Sequence, residues 1–251
     1  METSDYYDDI AAFYDAAYQQ QASVEGDLEF YRDLAIEADS PVLEVGCGTG
    51  RIYLELLRAG VDADGIDVSD GMLATLRENA AAEDLDPSVR NADVTSFRSD
   101  REYALAIVPF RAFLHLLTVD DQLAALERIH DALAPGGRLV LNVFTPNFDV
   151  ICERYGEWEE TEVTVAGETY AHRTVTELAD EVEQTARIHS AVFDADGERV
   201  LEREVSIALL SKQEFELLFR LSPFSSWDVS GDFEGAPLVE ATQEMVWIAE
   251  R

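Results

Sequence analysis

One stretch constrains this 251-residue chain more than any other: Val42-Leu43-Glu44-Val45-Gly46-Cys47-Gly48-Thr49-Gly50-Arg51. An apolar run reaches an acid and then three glycines at alternate positions, just before a helical pattern begins. Glycine tolerates positive φ and carries no Cβ, so a turn built from it lets the backbone press against a ligand. Strand, glycine turn and helix start, in that order, are how a parallel α/β sheet builds a nucleotide-type site.

The next hundred residues continue that rhythm. Strands are expected at 41–46, 63–67, 88–93, 103–109 and 138–144. Between them, helices are expected at about 50–59, 70–82 and 119–134, the last stopped by Pro135-Gly136-Gly137. Such βαβ repetition implies a parallel sheet with helices on both faces. Two helices come first, at 6–20 and 27–38. The former carries apolar and aromatic residues at 6, 10, 13, 14, 17 and 18, which suits either core packing or a lid over a site.

After Pro146 the pattern changes to alternation of period two, broken by turns at Ala166-Gly167-Glu168, Ala179-Asp180-Glu181 and Asp194–Gly197. We read residues 158–210 as an antiparallel meander of about four strands inserted into the α/β domain, walling a pocket or offering a homodimer surface. A helix at 211–221, capped by Ser211 and Glu214, and strands at 227–233 and 245–249 return to the main sheet, one of them antiparallel. The fold class expected is therefore α/β, a Rossmann-like, doubly wound, mostly parallel seven-stranded sheet with an inserted β-meander. Its parts are a helical cap at 1–40, a main domain at 41–149 plus 211–251, and the insertion at 150–210.

Composition narrows the function classes. Acidic residues number 52 against 18 basic ones, for a net charge of −34, and Lys212 is the one lysine. The acids are dispersed through ordered patterns, which reads as adaptation to a salt-saturated, halophilic cytoplasm where the Debye length shrinks to about 3 Å. No basic stripe is present to neutralise phosphates, so no nucleic-acid partner is expected. No apolar run approaches the roughly 20 residues of a membrane helix, and the acidic N-terminus does not look like a secretory signal. A cytoplasmic protein without a membrane partner is expected. Two cysteines and four scattered histidines give neither a disulfide framework nor a metal-ligand spacing, so no metal is expected.

The candidate site begins with Gly46, Gly48 and Gly50. Asp67, at the end of Gly65-Ile66-Asp67-Val68-Ser69, stands 17 residues beyond Gly50, where a carboxylate grips ribose hydroxyls. That much suits a dinucleotide equally well. A second acid, Asp93 in Asn91-Ala92-Asp93-Val94, sits at the next strand's carboxyl end, where it can accept from an adenine amino group.

With Leu133-x-Pro135-Gly136-Gly137 added, these motifs stand in the order and spacing of class I S-adenosylmethionine-dependent methyltransferases, which the chain resembles over about residues 40–145 and the terminal helix and hairpin. The resemblance implies S-adenosyl-L-methionine as cofactor. It places the glycine turn, with the backbone of Cys47, against the methionine portion, and Glu44 near its amino group. Asp67 would hold the ribose, Val68 and Met72 would flank the adenine, and Asp93 and the Val94 N–H would bond its edge. The carbonyl of Val108 or Pro109 would face the ammonium, with Tyr14, Tyr31 and Arg51 as further contacts. One departure is Ala104, where the family commonly has an acid near the start of strand four.

Methyl transfer needs an aligned nucleophile and a route for its proton. His115 and Arg111, beyond strand four, are the candidates: a base titrating near neutrality and an anchor for an anionic substrate group. Each also has a plain structural reading, a satisfied helix histidine and an ion-paired arginine. The arrangement is similar to small-molecule members with a β-insertion, including amino-sugar N,N-dimethyltransferases, in which an N-terminal tyrosine and a histidine after strand four lie near the acceptor amine. Tyr14 and His115 match those places. Methyl transfer to nitrogen or oxygen of a small molecule is thus expected. The alternatives are an RNA or protein methyltransferase, or a non-catalytic cofactor-binding partner subunit.

Overall fold

The computed structural model describes residues 3–18, 26–38 and 41–251. Two helices, α1 (Thr3–Tyr18) and α2 (Asp27–Ala38), precede an alternation of strands and helices: β1 (Val42–Val45), α3 (Tyr53–Arg58), β2 (Ala63–Asp67), α4 (Asp70–Ala81), β3 (Ser88–Asn91), β4 (Tyr103–Val108), α5 (Val119–Ala132) and β5 (Leu133–Phe144). Positions 19 and 20 of the expected first helix lie outside the described residues. A short helix, α6 (Phe148–Glu153), then leads into β6 (Glu159–Val165), β7 (Glu168–Asp180), β8 (Thr185–Phe193) and β9 (Arg199–Ala208). Helix α7 (Lys212–Leu221) and strands β10 (Ser226–Gly231) and β11 (Glu244–Glu250) complete the chain.

The main sheet has seven strands in the order β10-β11-β5-β4-β1-β2-β3. Strands β1 to β5 run parallel, and β11 pairs antiparallel with both β5 and β10. The chain winds outward from β1 to β3 and then restarts at β4 on the other side of β1. Carboxyl ends of β1 and β4 therefore diverge, and that opening is where a doubly wound sheet receives its ligand.

Burial follows from this layering. All four residues of β1 are buried, as are five of the six in β4, the pattern of parallel strands covered on both faces. Leu43, Val45, Ala106 and Val108 face α5 and α7; Val42, Leu105 and Ile107 face the side of α2, α3 and α4. Alternation then puts Glu44 on that second side. Helix α7 shows why the local sequence folds as it does: Ser211 and Glu214 cap it reciprocally, and Phe215, Leu218 and Phe219 bury one stripe against Trp247.

Several elements differ from the sequence expectation. Strand β3 ends at Asn91 rather than 93, because Asp93 turns its carboxylate back to the Thr95 N–H at 2.8 Å. Strand β5 begins at Leu133, with a register shift over the Pro-Gly-Gly bend before Arg138 pairs Leu105. Helix α6 was not anticipated; Asn147 starts it by accepting from the N–H groups of Asp149 and Val150.

The four strands β6 to β9 form a separate antiparallel sheet. Helix α1 lies between this sheet and the main domain, with Tyr6, Ile10 and Ala11 packed against Met72 and Val205. Its attachment is polar as well as apolar. Asp8 Oδ1 accepts from the Ser69 hydroxyl at 2.6 Å and the Gly71 N–H at 2.8 Å, at the start of α4. A side chain at Gly71 would meet the Asp8 backbone at 2.7 Å, so glycine is what lets the two helices approach.

Candidate active site

A cavity of about 360 Å³ opens over the carboxyl ends of the central strands. Its floor is the turn after β1. Gly46 has φ +74°, and a Cβ there would lie 2.9 Å from the Ala112 Cβ; Gly50, at φ +96°, would collide with Leu54 and Leu76. These glycines let the turn fit between β4's exit loop and α4. Gly48, by contrast, faces open space and lines the cavity.

Asp67 closes the turn from the other side. Its Oδ2 accepts from the Gly48 N–H at 2.8 Å and its Oδ1 from the Ser69 N–H at 2.9 Å, while its carboxylate borders the cavity. Burial pushes the Asp67 carboxyl above its usual range, against the pull of those main-chain donors. Val68, Met72, Ala92 and Val94 continue the wall as an apolar slot.

Beyond β4 the backbone is strained. Phe110 and Arg111 have φ +52° and +65°, left-handed values that non-glycine residues adopt at a cost of about 1 kcal/mol or more each. Asn142, fully buried in β5, holds them there: its side-chain oxygen accepts from the Phe110 N–H at 2.9 Å and its carbonyl from the Arg111 N–H at 3.2 Å. The Asn142 side-chain oxygen also accepts from the Tyr31 hydroxyl at 2.8 Å, and the side-chain amide donates to Glu244 at 3.0 Å. Arg111 completes the network by donating from Nε to Glu244 at 2.9 Å, with its guanidinium over the Phe144 ring. The ion-pair reading of Arg111 therefore holds in this structure, although the residue still lines the cavity.

A second buried polar group lies beneath the turn. Arg51 grips Asp27, which is 1% exposed, through both guanidinium nitrogens, one at 2.9 Å, and stacks on Phe110. Beside it, Glu44 is 2% exposed and its Oε2 has no hydrogen-bond partner. Burial raises the Glu44 carboxyl well above its usual range, with Arg51 opposing and Asp67 and Asp27 reinforcing the rise.

The far wall comes from elsewhere: Tyr7 and Tyr14 of α1, Phe144, Tyr155, and Thr176, Ile188 and Ile207 of the antiparallel sheet. His115 ends the short 3-10 turn Ala112–His115, and its Nε2 lies 2.8 Å from the Tyr7 hydroxyl. Desolvation pushes the His115 pKa down to about 4, so the ring is neutral near pH 7.

Of the residues expected from sequence, Tyr14, Gly46, Gly48, Asp67, Val68, Met72, Val94, Pro109, Arg111 and His115 line this cavity. Tyr31, Glu44, Cys47, Gly50, Arg51 and Asp93 are not in its wall: the first five sit behind it, and Asp93 is exposed beside Thr95. Cys47 is buried with its thiol pushed up by desolvation, an inert core group. Tyr7, Asp8, Asp27, Asn142 and Glu244 were missed. Tyr7 and Asp8 occupied visible helical positions, but nothing in the sequence marked which tyrosine would meet His115. Among the described residues, no cluster of His, Cys, Asp or Glu is placed to hold a metal, and no helix is long and apolar enough to cross a membrane.

Comparison with known proteins agrees with this geometry. A family profile described as a methyltransferase domain matches residues 42–137. A ubiquinone biosynthesis O-methyltransferase from Ruegeria pomeroyi is 29% identical over 122 residues, 47% of this chain and 48% of that protein, so the chain spans about half the length of this relative. A dTDP-3-amino-3,6-dideoxy-alpha-D-glucopyranose N,N-dimethyltransferase from Streptomyces fradiae is 26% identical over 235 residues, covering 88% and 86% of the two chains. Among solved structures, an S-adenosylmethionine-dependent methyltransferase from Clostridium acetobutylicum superposes with a TM-score of 0.76 at 14% identity, over 97% of this chain and 98% of its own. With its glycine turn, anchored aspartate and sheet order, the chain has the fold of S-adenosylmethionine-dependent methyltransferases, and its residues 42–137 match a methyltransferase domain.

Proposed function

We propose that this protein transfers a methyl group from S-adenosylmethionine to a nitrogen or oxygen of a small molecule. The observation that carries the proposal is the single cavity running from the Asp67 turn to the Tyr7–His115 pair. The residues present fit the cofactor on their own chemistry. Asp67 is an anchored acceptor at the cavity wall, Val68, Met72, Ala92 and Val94 offer apolar contact, and Glu44, behind the wall, is a buried acid with an unsatisfied oxygen. A buried acid in that state favours a cationic donor nearby. In this reading Asp67 holds the ribose hydroxyls, Val68 and Met72 flank the adenine, and the Glu44–Arg51–Asp27 group sets the field for the amino-acid end. When bound, S-adenosylmethionine supplies an electrophilic methyl carried on a sulfonium.

The chain's own residues do the rest. Tyr14, Phe144, Ile188 and Ile207 enclose the space, exclude water and orient the acceptor. Walls drawn from both α1 and the insertion suit a small molecule rather than a groove for a polymer. The 86% coverage of the amino-sugar dimethyltransferase supports an amine on a compact, sugar-sized acceptor. We read the dispersed acidity as adaptation to molar salt in a cytoplasmic setting. Calorimetry with S-adenosylhomocysteine in molar KCl tests the donor side. A metabolite screen for its release tests the acceptor side. Absence of binding by the folded protein would end this reading.

A further inference from the structure

We propose that Asn142 and Glu244, neither of which lines the cavity, are positioning residues for the methyl donor: they hold the exit of β4 in the strained form that the ligand meets. The proposal rests on the methyltransferase reading for the identity of that ligand, and on geometry for the rest. Val108, Pro109, Phe110, Arg111 and Ala112 line the cavity in succession. They pack against the glycine turn, where a Cβ at Gly46 would lie 2.9 Å from that of Ala112. Turn and exit loop are thus two jaws of one cleft, and its width depends on whatever holds the loop.

What holds it is not local. Left-handed backbone at two consecutive non-glycine residues, Phe110 and Arg111, persists when the surroundings over-determine it. Asn142 supplies both constraints from β5, taking the Phe110 N–H on its side-chain oxygen and the Arg111 N–H on its carbonyl. The orientation of its amide is set by the next strand. A carboxylate offers acceptors alone, so Glu244 Oε2 draws the Asn142 amide nitrogen toward β11, and the oxygen is left for Phe110 and the Tyr31 hydroxyl. Glu244 is itself fixed at both ends. Its Oε1 accepts from the Arg111 guanidinium. Its main chain exchanges bonds with Asp232, the N–H donating to Oδ1 at 3.0 Å and the carbonyl accepting from the Asp232 N–H at 2.9 Å. A carboxylate on β11 therefore orients an amide on β5, and that amide sets the backbone beyond β4.

The linkage has an energetic sense. With the loop held, the ligand finds its wall already in place. With the clamp broken, the loop relaxes, binding has to restore the left-handed form, and apparent affinity falls with the fraction of molecules still competent. Arg51 over the Phe110 ring and Arg111 over the Phe144 ring restrain side chains rather than φ, so they do not replace Asn142.

The test is a double-mutant cycle read by calorimetry with S-adenosylhomocysteine on the full chain in molar KCl. Asn142→Asp sets two carboxylates against each other, and Glu244→Gln leaves one oxygen to serve both Asn142 and Arg111. Each should weaken binding by about tenfold or more. Made together, they restore the order of donors and acceptors with the roles exchanged, and affinity should return to within about threefold of wild type. Leu139→Ala, a cavity-forming change in the same strand, should lower Tm without weakening binding. Exchange of the Phe110 amide proton, followed by NMR on the ligand-free chain, should quicken in each single variant and slow again in the double. Should Asn142→Asp fail to fold, Glu244→Gln and the double variant keep the comparison. Single variants that bind as tightly as wild type, or a double variant that binds no better than Glu244→Gln, overturn the positioning role. Failure of the wild-type protein to bind S-adenosylhomocysteine overturns the methyltransferase reading instead.

Discussion

Replacing Asp67 by alanine separates the two duties this carboxylate performs. Within the protein, it accepts from the Gly48 N–H at 2.8 Å and the Ser69 N–H at 2.9 Å and so ties the turn after β1 to the turn after β2. Each donor left without a partner costs about 1–3 kcal/mol when water cannot reach it. Here the cavity borders the turn, and burial already disfavours the charged form of Asp67, so part of the loss is recovered. The net expectation is a loss of about 1–3 kcal/mol, or a fall in Tm of about 3–10 °C for a chain of this size. Toward the ligand, two hydroxyl bonds to a charged acceptor are worth about 1.5–3 kcal/mol each, so affinity for S-adenosylhomocysteine should fall by about two to four orders of magnitude. Calorimetry and thermal unfolding, both in molar KCl, read the two effects apart. Asp93→Ala is the internal comparison: its exposed carboxylate caps Thr95, and its loss should weaken binding far less. A folded Asp67→Ala protein that binds within tenfold of wild type would refute the assignment of this acid to the ribose.

Glu44→Gln should stabilise the ligand-free protein near neutral pH, because the wild-type carboxyl must there take up a proton on folding and the amide need not. Because burial raises the Glu44 carboxyl, the folded chain holds a proton that the unfolded chain has already released. Stability should therefore fall as pH rises from the usual carboxylate range through the raised folded value, and Glu44→Gln should flatten that slope in pH-resolved urea melts. Gly46→Ala forces a Cβ to 2.9 Å from Ala112 at positive φ and should cost at least about 1–2 kcal/mol in the same assay, with no stable turn for ligand. Arg111→Ala leaves Glu244 with Asn142 alone; since the arginine is about a third exposed, the loss should be about 1–3 kcal/mol rather than the larger value of a fully buried pair. Raising KCl from 0.1 M to 3 M should raise Tm, because 52 acids against 18 bases repel one another less when screened; an unchanged Tm would count against the halophilic reading.

How much of this was legible in the sequence depends on the range of the interaction. The glycine turn, Asp67, and Val68 and Met72 are spaced by a strand and a helix, so local rules place them. The meander was readable because turns interrupt a period of two. Asp93 marks the limit of that approach: the acid is where expected along the chain, but β3 ends two residues sooner and the side chain caps its own turn. Partnerships across the sheet were not readable. Arg111 meets Glu244 over 133 positions because β11 inserts beside β5, and no pattern near either residue announces it. In a chain with 52 acids, nothing distinguishes Glu244 or Asp27 as the one an arginine will choose.

The methyltransferase profile ends at residue 137, and the match to the Ruegeria protein covers less than half of this chain. Tyr7, Tyr155, Thr176, Ile188 and Ile207 all lie outside that profile, yet they shape the chamber opposite the anchored aspartate. The recognisable signature therefore lies around the anchored aspartate, while the wall that faces it is contributed by residues outside that signature. Two proteins can share every signature of this lineage and still have no substrate in common.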